Sequence, residues 1–206
     1  MNKQFAVLGL GSFGRSVALS LEKMGCDVMV VDDSYEKIQE ISDKVSYAMK
    51  ADVTDKDALQ ALGARNLDGV VVAVSEHPEA NIMATLLCKE MGIPLVVAKA
   101  KDKLQGTILE KVGADSVVYP EIEMGSRIAK NMVANEFTDW IELSNDYSIV
   151  EIAVPRRWEG KNLAELDVRK KYGITVVGVM QGEKMDISFN PQTPLPGNAI
   201  LVLIGA

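Results

Sequence analysis

The sequence predicts an α/β protein: a doubly wound parallel sheet of six strands, followed by a small α+β domain. Three observations carry that expectation. Short apolar runs alternate with helical patterns from the N-terminus to about residue 135, as strands joined by crossover helices must. The first run ends in Gly9-Leu10-Gly11-Ser12-Phe13-Gly14, three glycines at G-x-G-x-x-G spacing that open a helix. Beyond residue 135 the alternation gives way to strands divided by turn residues.

In chain order, Phe5 to Leu8 is a buried strand and the glycines follow it directly. Gly9 allows the tight turn, Gly11 lets the backbone approach a diphosphate, and Gly14 lets the new helix pack closely on the sheet. The helix N-terminus then offers N–H groups and a partial positive charge to an anion. Val17, Ala18, Leu21 and Met24 share one helical face, and Gly25 stops the helix. Asp27 to Asp32 is continuously apolar between its two acids, as a buried parallel strand is. Asp32 lies 18 residues beyond Gly14, near the place where a dinucleotide-binding unit sets the acid that holds ribose hydroxyls. An N-cap is the alternative for Asp32, but Asp33 or Ser34 can cap the helix over Tyr35 to Ser42.

The series continues with a strand near Ser46 to Lys50, a helix over Asp55 to Leu62, and a strand over Gly69 to Val74. A helix over Pro78 to Met91, a strand over Leu95 to Ala98, a helix over Lys103 to Val112 and a strand over Ser116 to Val118 complete it. This alternation behind a glycine loop is Rossmann-like, and such sheets bind ligands outside the carboxyl ends of their strands. The candidate contacts are therefore Gly9 to Gly14, Asp32, Asp33, Ala51-Asp52-Val53, Ala73-Val74-Ser75, Lys99 and Glu121. Asp52 is placed to receive an adenine amino group, while Thr54 or Asp55 caps the next helix. Lys99 can pair with phosphate as a point charge, and Glu121 can help hold a divalent metal or act as a first-turn acid. Arg15 and Lys101 read as solvated surface charges.

From Ile122 to Asn135 a helix carries Met124, Ile128, Met132 and Val133 on an apolar stripe too wide for a monomer. Strands then follow at Trp140 to Leu143, Ser148 to Val154, Thr175 to Met180 and Ala199 to Ile204, with turns at Asn145-Asp146, Gln181-Gly182-Glu183 and Pro194 to Gly197. A short helix over Leu163 to Tyr172 ends at Gly173. The expected division is residues 1–135 and 136–206, a nucleotide-binding domain with its crossover helix and a small domain near the lower size limit for independent stability.

Composition narrows the function classes. Of 206 residues, 48% are hydrophobic and 25% charged, which is ordinary globular material. A formal charge of −7 argues against a nucleic-acid grip, which needs clustered Lys and Arg. Cys26 and Cys88 lack metal spacing and read as thiols in a reducing compartment. No apolar run approaches the roughly 20 residues that span a bilayer, and Met1 to Gln4 leads straight into the first strand, so a cytoplasmic protein is expected. The single histidine, His77, reads as a solvated loop residue, and Trp140 and Trp158 as packing anchors. No nucleophile elbow, H-E-x-x-H or Walker sequence is present, so no enzyme is expected.

Several stretches together resemble a known family across the whole chain. Gly9 to Gly14, Asp32, Ala51-Asp-Val-Thr-Asp55, Leu62-Gly63, Lys89-Glu-Met-Gly92 and Val112 to Glu121 resemble the RCK domain, the regulator of potassium conductance, also called TrkA-N or KTN. Gly160 to Leu166, Arg169 to Gly173 and Pro196 to Gly205 are similar to the companion TrkA-C domain. The resemblance implies a nucleotide-sensing gating subunit of a Trk/Ktr-type bacterial potassium uptake system, at the inner face of the membrane. It implies a homo-oligomer of dimers assembling into an octameric ring, docked on a membrane potassium-translocating subunit. The ligand it implies is ADP, ATP or NAD(H), with Mg or Ca at the phosphates and Glu121 as the metal residue. Gly9, Gly11 and Gly14 would hold phosphate, Asp32 the ribose, Asp52 the adenine edge and Lys99 a phosphate. In Ktr-type members the position after the second glycine is often Arg; here it is Ser12. For the second domain the resemblance implies cyclic di-AMP near Leu163, Arg169, Ile174 and Pro191. The rival readings are an NAD(P)-dependent oxidoreductase and a scaffolding RCK module with a vestigial nucleotide site.

Overall fold

The computed structural model describes residues 2–61, 63, 66–133, 137–144 and 146–205. The chain divides into two compact units, Met1–Glu123 and Met124–Ala206. In the first unit, β1 (Gln4–Leu8), α1 (Ser12–Lys23), β2 (Asp27–Asp32), α2 (Tyr35–Ile41), β3 (Tyr47–Lys50) and α3 (Lys56–Ala61) form one half. The other half is β4 (Gly69–Val72), α4 (Pro78–Glu90), β5 (Val96–Lys99), α5 (Lys103–Lys111) and β6 (Ser116–Val118). The strands lie in the order β3-β2-β1-β4-β5-β6, and each neighbouring pair is parallel. The expected six-stranded doubly wound sheet is thus the observed one.

Period-two geometry sends alternate side chains to opposite faces of the sheet. Ala6 and Leu8 of β1 and Val31 of β2 pack with Leu59 of α3 and Ala84, Leu87 and Cys88 of α4. Val7, Val28 and Val30 face the other way, onto Ala18 of α1 and Ile38 and Ile41 of α2. Both faces are covered, which is why these strands read as unbroken apolar runs. Cys88 is buried in the first cluster, where loss of hydration pushes its thiol pKa up to about 12 and leaves it inert.

After β6, α6 (Pro120–Val133) starts two residues earlier than the apolar stripe suggested, so Glu121 sits in its first turn. Ile122, Met124, Ile128 and Met132 are each at least 50% exposed. The side chain of Val133, the expected helix end at Asn135 and Leu62 lie outside the described residues.

The second unit holds β7 (Phe137–Glu142), β8 (Ser148–Ala153), a 3₁₀ turn at Arg156–Trp158, α7 (Leu163–Leu166), α8 (Val168–Tyr172), β9 (Thr175–Gln181), β10 (Lys184–Asp186) and β11 (Ile200–Gly205). Its sheet runs β10-β9-β11-β8-β7 with antiparallel pairing. Two details differ from the sequence reading. The helix expected over Leu163 to Tyr172 is split at Asp167, whose left-handed φ of 45° ends α7 and starts α8. One further strand, β10, was not foreseen, because the three residues Lys184-Met185-Asp186 are too few to establish a period. Trp158 is buried in this unit's core, with its ring centroid 5.8 Å from that of Tyr172. The Trp140 side chain and the turn residue Asn145 lie outside the described residues.

Candidate functional site

The strand order sets the site. β1 lies between β2 and β4, so the connections from β1 and from β4 leave the sheet in opposite senses and open a crevice at the carboxyl ends. The glycines sit at the mouth of that crevice and separate three physical requirements. Gly9 has a left-handed φ of 96°, and a Cβ there would lie 3.0 Å from the backbone of Ala73 and Val74. At Gly14 a Cβ would stand 1.9 Å from the carbonyl oxygen of Gly9, so only glycine lets α1 come this close to the turn. Gly11 differs: nothing lies within 4 Å of its would-be Cβ, and it is the N-cap of α1 without a side-chain capping bond. The first N–H groups of α1 therefore have no side-chain cap.

Asp32 ties the loop to the end of β2. Its Oδ2 accepts from the Leu10 backbone N–H at 2.6 Å and its Oδ1 from the Ser34 N–H at 2.9 Å, while Lys37 Nζ lies 3.6 Å from Oδ1. Ser34, rather than Asp33, caps α2 by accepting from the Lys37 N–H. Asp55 caps α3, accepting from the N–H groups of Asp57 and Ala58. Asp52 accepts from the N–H and the hydroxyl of Thr54, and these two bonds, the backbone one first, hold its carboxyl below the usual carboxylate range.

These residues border a cleft of about 540 Å³. Of the sequence candidates, Gly9, Gly11, Asp32, Asp33, Ala51, Asp52, Val53, Ala73, Val74 and Ser75 line it. Leu10, Ser12, Phe13, Gly14, Lys99 and Glu121 are not among the lining residues. Leu10 is buried and serves through its backbone, and Phe13 packs on the α1/α2 side of the core. The cleft also takes in Thr54, read as a cap, Glu76 beside the candidate Ser75, and Lys37, Glu79, Ala80 and Met83, which sequence reasoning passed over. Their signal was positional, because Glu79, Ala80 and Met83 occupy the first turns of the helix that follows β4. His77, read as a solvated loop residue, is exposed as expected but also lines the rim, with its Nδ1 3.7 Å from Glu79 Oε1.

Lys99 is committed elsewhere. Its side chain is buried, and Nζ donates to Ser75 Oγ at 2.9 Å and to Glu121 Oε1 at 2.5 Å, 5.9 Å from the centre of the Phe13 ring. The bond from Lys99 is the main cause holding the Glu121 carboxyl below its usual range. Asn81 braces this corner by donating to the carbonyls of Val74 and Lys99. Lys99 already holds Glu121, and among the described residues no three His, Cys, Asp or Glu side chains converge on one point. Arg15, read as a solvated charge, is half-buried and ion-paired with Glu40 of α2.

In the second unit, Leu163 and Ile174 pack against the core. The Pro191 carbonyl accepts from the Ala164 N–H, and Arg169 is exposed.

The comparisons agree with this architecture. Residues 5–120 match the TrkA-N domain family and residues 147–206 the TrkA-C domain family. The chain is 40% identical over 206 residues to Ktr system potassium uptake protein C of Bacillus subtilis (strain 168), covering 100% of this chain and 93% of that protein. It is 37% identical to Ktr system potassium uptake protein A of the same organism, covering 99% of this chain and 92% of that protein. Among solved structures it is similar in fold to the GsuK channel bound to NAD, at 20% identity and a TM-score of 0.67, over 100% of this chain. The chain spans only 37% of that channel's length.

Proposed function

This chain belongs to the TrkA-N/TrkA-C family of Ktr-type potassium uptake proteins, and from that premise we propose that it is a nucleotide-sensing regulatory subunit. Its partner would be a membrane potassium-translocating subunit, and its ligand an adenine nucleotide such as ADP, ATP or NAD(H). The observation that carries the nucleotide reading is the clamp at the crevice. Asp32 fixes the glycine loop through the Leu10 N–H, while Gly11 leaves the helix start open to an anion.

The residues divide the work by chemistry. The N–H groups at the start of α1 meet phosphate oxygens, and the Asp32 and Asp33 carboxylates meet hydroxyls beside the loop. Asp52, kept ionised by Thr54, accepts from an exocyclic amino group. The chain acts by bias rather than by reaction: a ligand shifts the assembly only through differential affinity for its two states. Relatives named for potassium uptake favour this regulatory role over the oxidoreductase alternative.

We extend the proposal to assembly. The exposed apolar residues of α6 are covered by a second copy, and dimers build the ring, octameric by family resemblance, that meets the membrane partner. The protein works at the cytoplasmic face as a peripheral subunit; among the described residues no helix is long and apolar enough to cross a membrane. Magnesium or calcium would enter with the nucleotide's phosphates. As a second ligand we propose cyclic di-AMP near Leu163, Arg169, Ile174 and Pro191, because Leu163 and Ile174 are only partly buried and Arg169 and Pro191 are exposed.

Calorimetric titration of the full chain with ADP, ATP and NADH tests the nucleotide reading. Saturable binding of at least one is expected; heats indistinguishable from dilution for all three would remove it. Potassium flux in vesicles carrying the translocating subunit, with and without this protein, tests the regulatory role, and unchanged flux would oppose it.

A further inference from the structure

The second unit gathers most of its positive charge on one stretch. Six of its nine Lys and Arg residues fall between Arg156 and Tyr172, in a chain whose formal charge is −7. Five of the six stand in two runs, Arg156-Arg157 in the 3₁₀ turn and Arg169-Lys170-Lys171 in α8. An aromatic residue follows each run, Trp158 the first and Tyr172 the second, and the centroids of those two rings lie 5.8 Å apart. That contact brings the two runs side by side, and buried Trp158 and Val168 fix the backbone that carries them.

These cations are not offset by their surroundings. Arg156, Arg157, Lys170 and Lys171 are exposed, and among the described residues none of them forms an ion pair. Of the three acids in the same stretch, Glu165 closes the capping box of α7 by accepting from the Asn162 N–H, and the Glu159 carboxylate lies against Gly197. Only Asp167 is left between the runs. Tyr172, 52% exposed, stands beside the charges with an apolar ring and a hydroxyl, the kind of side chain that settles at a lipid headgroup boundary.

We propose that this face docks the protein on an anionic lipid surface, with Arg156, Arg157, Lys170 and Lys171 on headgroup phosphates and Tyr172 at the boundary beneath them. The inference is independent of the nucleotide reading and takes from the function proposed above only that the protein works beside a membrane. Arginine meets a phosphate with two parallel N–H bonds and lysine meets it as a point charge. The chain as a whole is acidic and is repelled by such a surface, so its approach is oriented through the stretch where cations predominate. An acidic peptide would satisfy the cations alone, whereas a bilayer also takes the half-exposed ring.

Cosedimentation of the full chain, without nucleotide, tests this with vesicles of phosphatidylcholine alone and vesicles in which about a third of the lipid is phosphatidylglycerol. Binding is expected on the anionic vesicles only, with release at high salt. Each cation near such a surface is worth about fivefold in partitioning, so Arg156→Gln with Arg157→Gln, and Lys170→Gln with Lys171→Gln, should each weaken binding at least about tenfold. Lys103→Gln with Lys111→Gln removes two exposed cations from α5 and should leave binding within about twofold of the parent. No binding by the parent, equal binding to both vesicles, or an equal loss in the α5 pair overturns the proposal. Binding to polyglutamate but not to vesicles also overturns it and assigns the face to an acidic segment. Arg169 stays in place in every variant, so titrations with cyclic di-AMP and with ADP are expected to match the parent. A parent that binds anionic vesicles but no nucleotide removes the nucleotide reading and leaves this one standing.

Discussion

Leu10 and Asp32, 22 residues apart, are joined by a 2.6 Å hydrogen bond from a backbone N–H to a buried carboxylate, so the glycine loop is held by the very acid read as the ribose contact. The Asp32→Ala variant therefore loses stability as well as ligand. Leaving the Leu10 N–H without its charged acceptor is expected to cost about 2 kcal/mol, read from the urea midpoint, with Asp32→Asn milder. An unchanged midpoint in the alanine variant would show that the loop does not depend on this bond.

Two glycines of one motif are expected to fail differently. In Gly14→Ala the new methyl meets the Gly9 carbonyl, and no flexible side chain can yield, so the variant should lose about 3 kcal/mol of stability. Gly11→Ala points its methyl into open space and keeps stability within about 0.5 kcal/mol of the parent. Its nucleotide affinity should nonetheless drop at least tenfold, because the methyl stands where phosphate approaches. Thermal unfolding and titration of both variants separate the two effects, and equal stability losses would contradict the assignment.

Asp115 supplies a pH dependence with a definite sign. It accepts from Lys89 Nζ and from the Val96 N–H, and the Lys89 bond above all holds its carboxyl below its ordinary value. A depressed folded pKa adds stability that is present above the unfolded value, about 3.9, and is lost as pH falls through the folded one. Both side chains are partly exposed, so the contribution is discounted for solvent to about 1 kcal/mol at neutral pH. Asp115→Asn should show that deficit at pH 7 and converge with the parent as pH falls below the folded value. A constant difference across the range would exclude this linkage.

The stripe Met124, Ile128 and Met132 repeats every four residues on α6 and stays exposed within one chain. If a second copy covers it, Ile128→Glu places a charge in an apolar contact and shifts the light-scattering mass toward the monomer. A parent protein that is already monomeric at micromolar concentration would count against the assembly.

Much of this was legible in the residues. Alternating apolar runs and helical stripes announce a parallel sheet, because strands covered on both faces must be apolar throughout. The glycine spacing and Asp32 were readable for the same reason: they obey local rules of turn, cap and strand end. β10 escaped because three residues, two of them charged, are too few to show a period, and the break at Asp167 because nothing in its neighbours marks that residue for a left-handed φ.

By itself, the sequence determined the order of elements, the family and the loop that opens the crevice, since each is written in neighbouring residues. Only the tertiary structure decided which charges meet. Lys99 pairs with Glu121, Arg15 with Glu40 and Lys37 with Asp32, and Glu76 and Glu79 face the same cleft as Asp32. Those pairings depend on strand order and on how each helix is turned against the sheet, and electrostatics acts through space rather than along the chain.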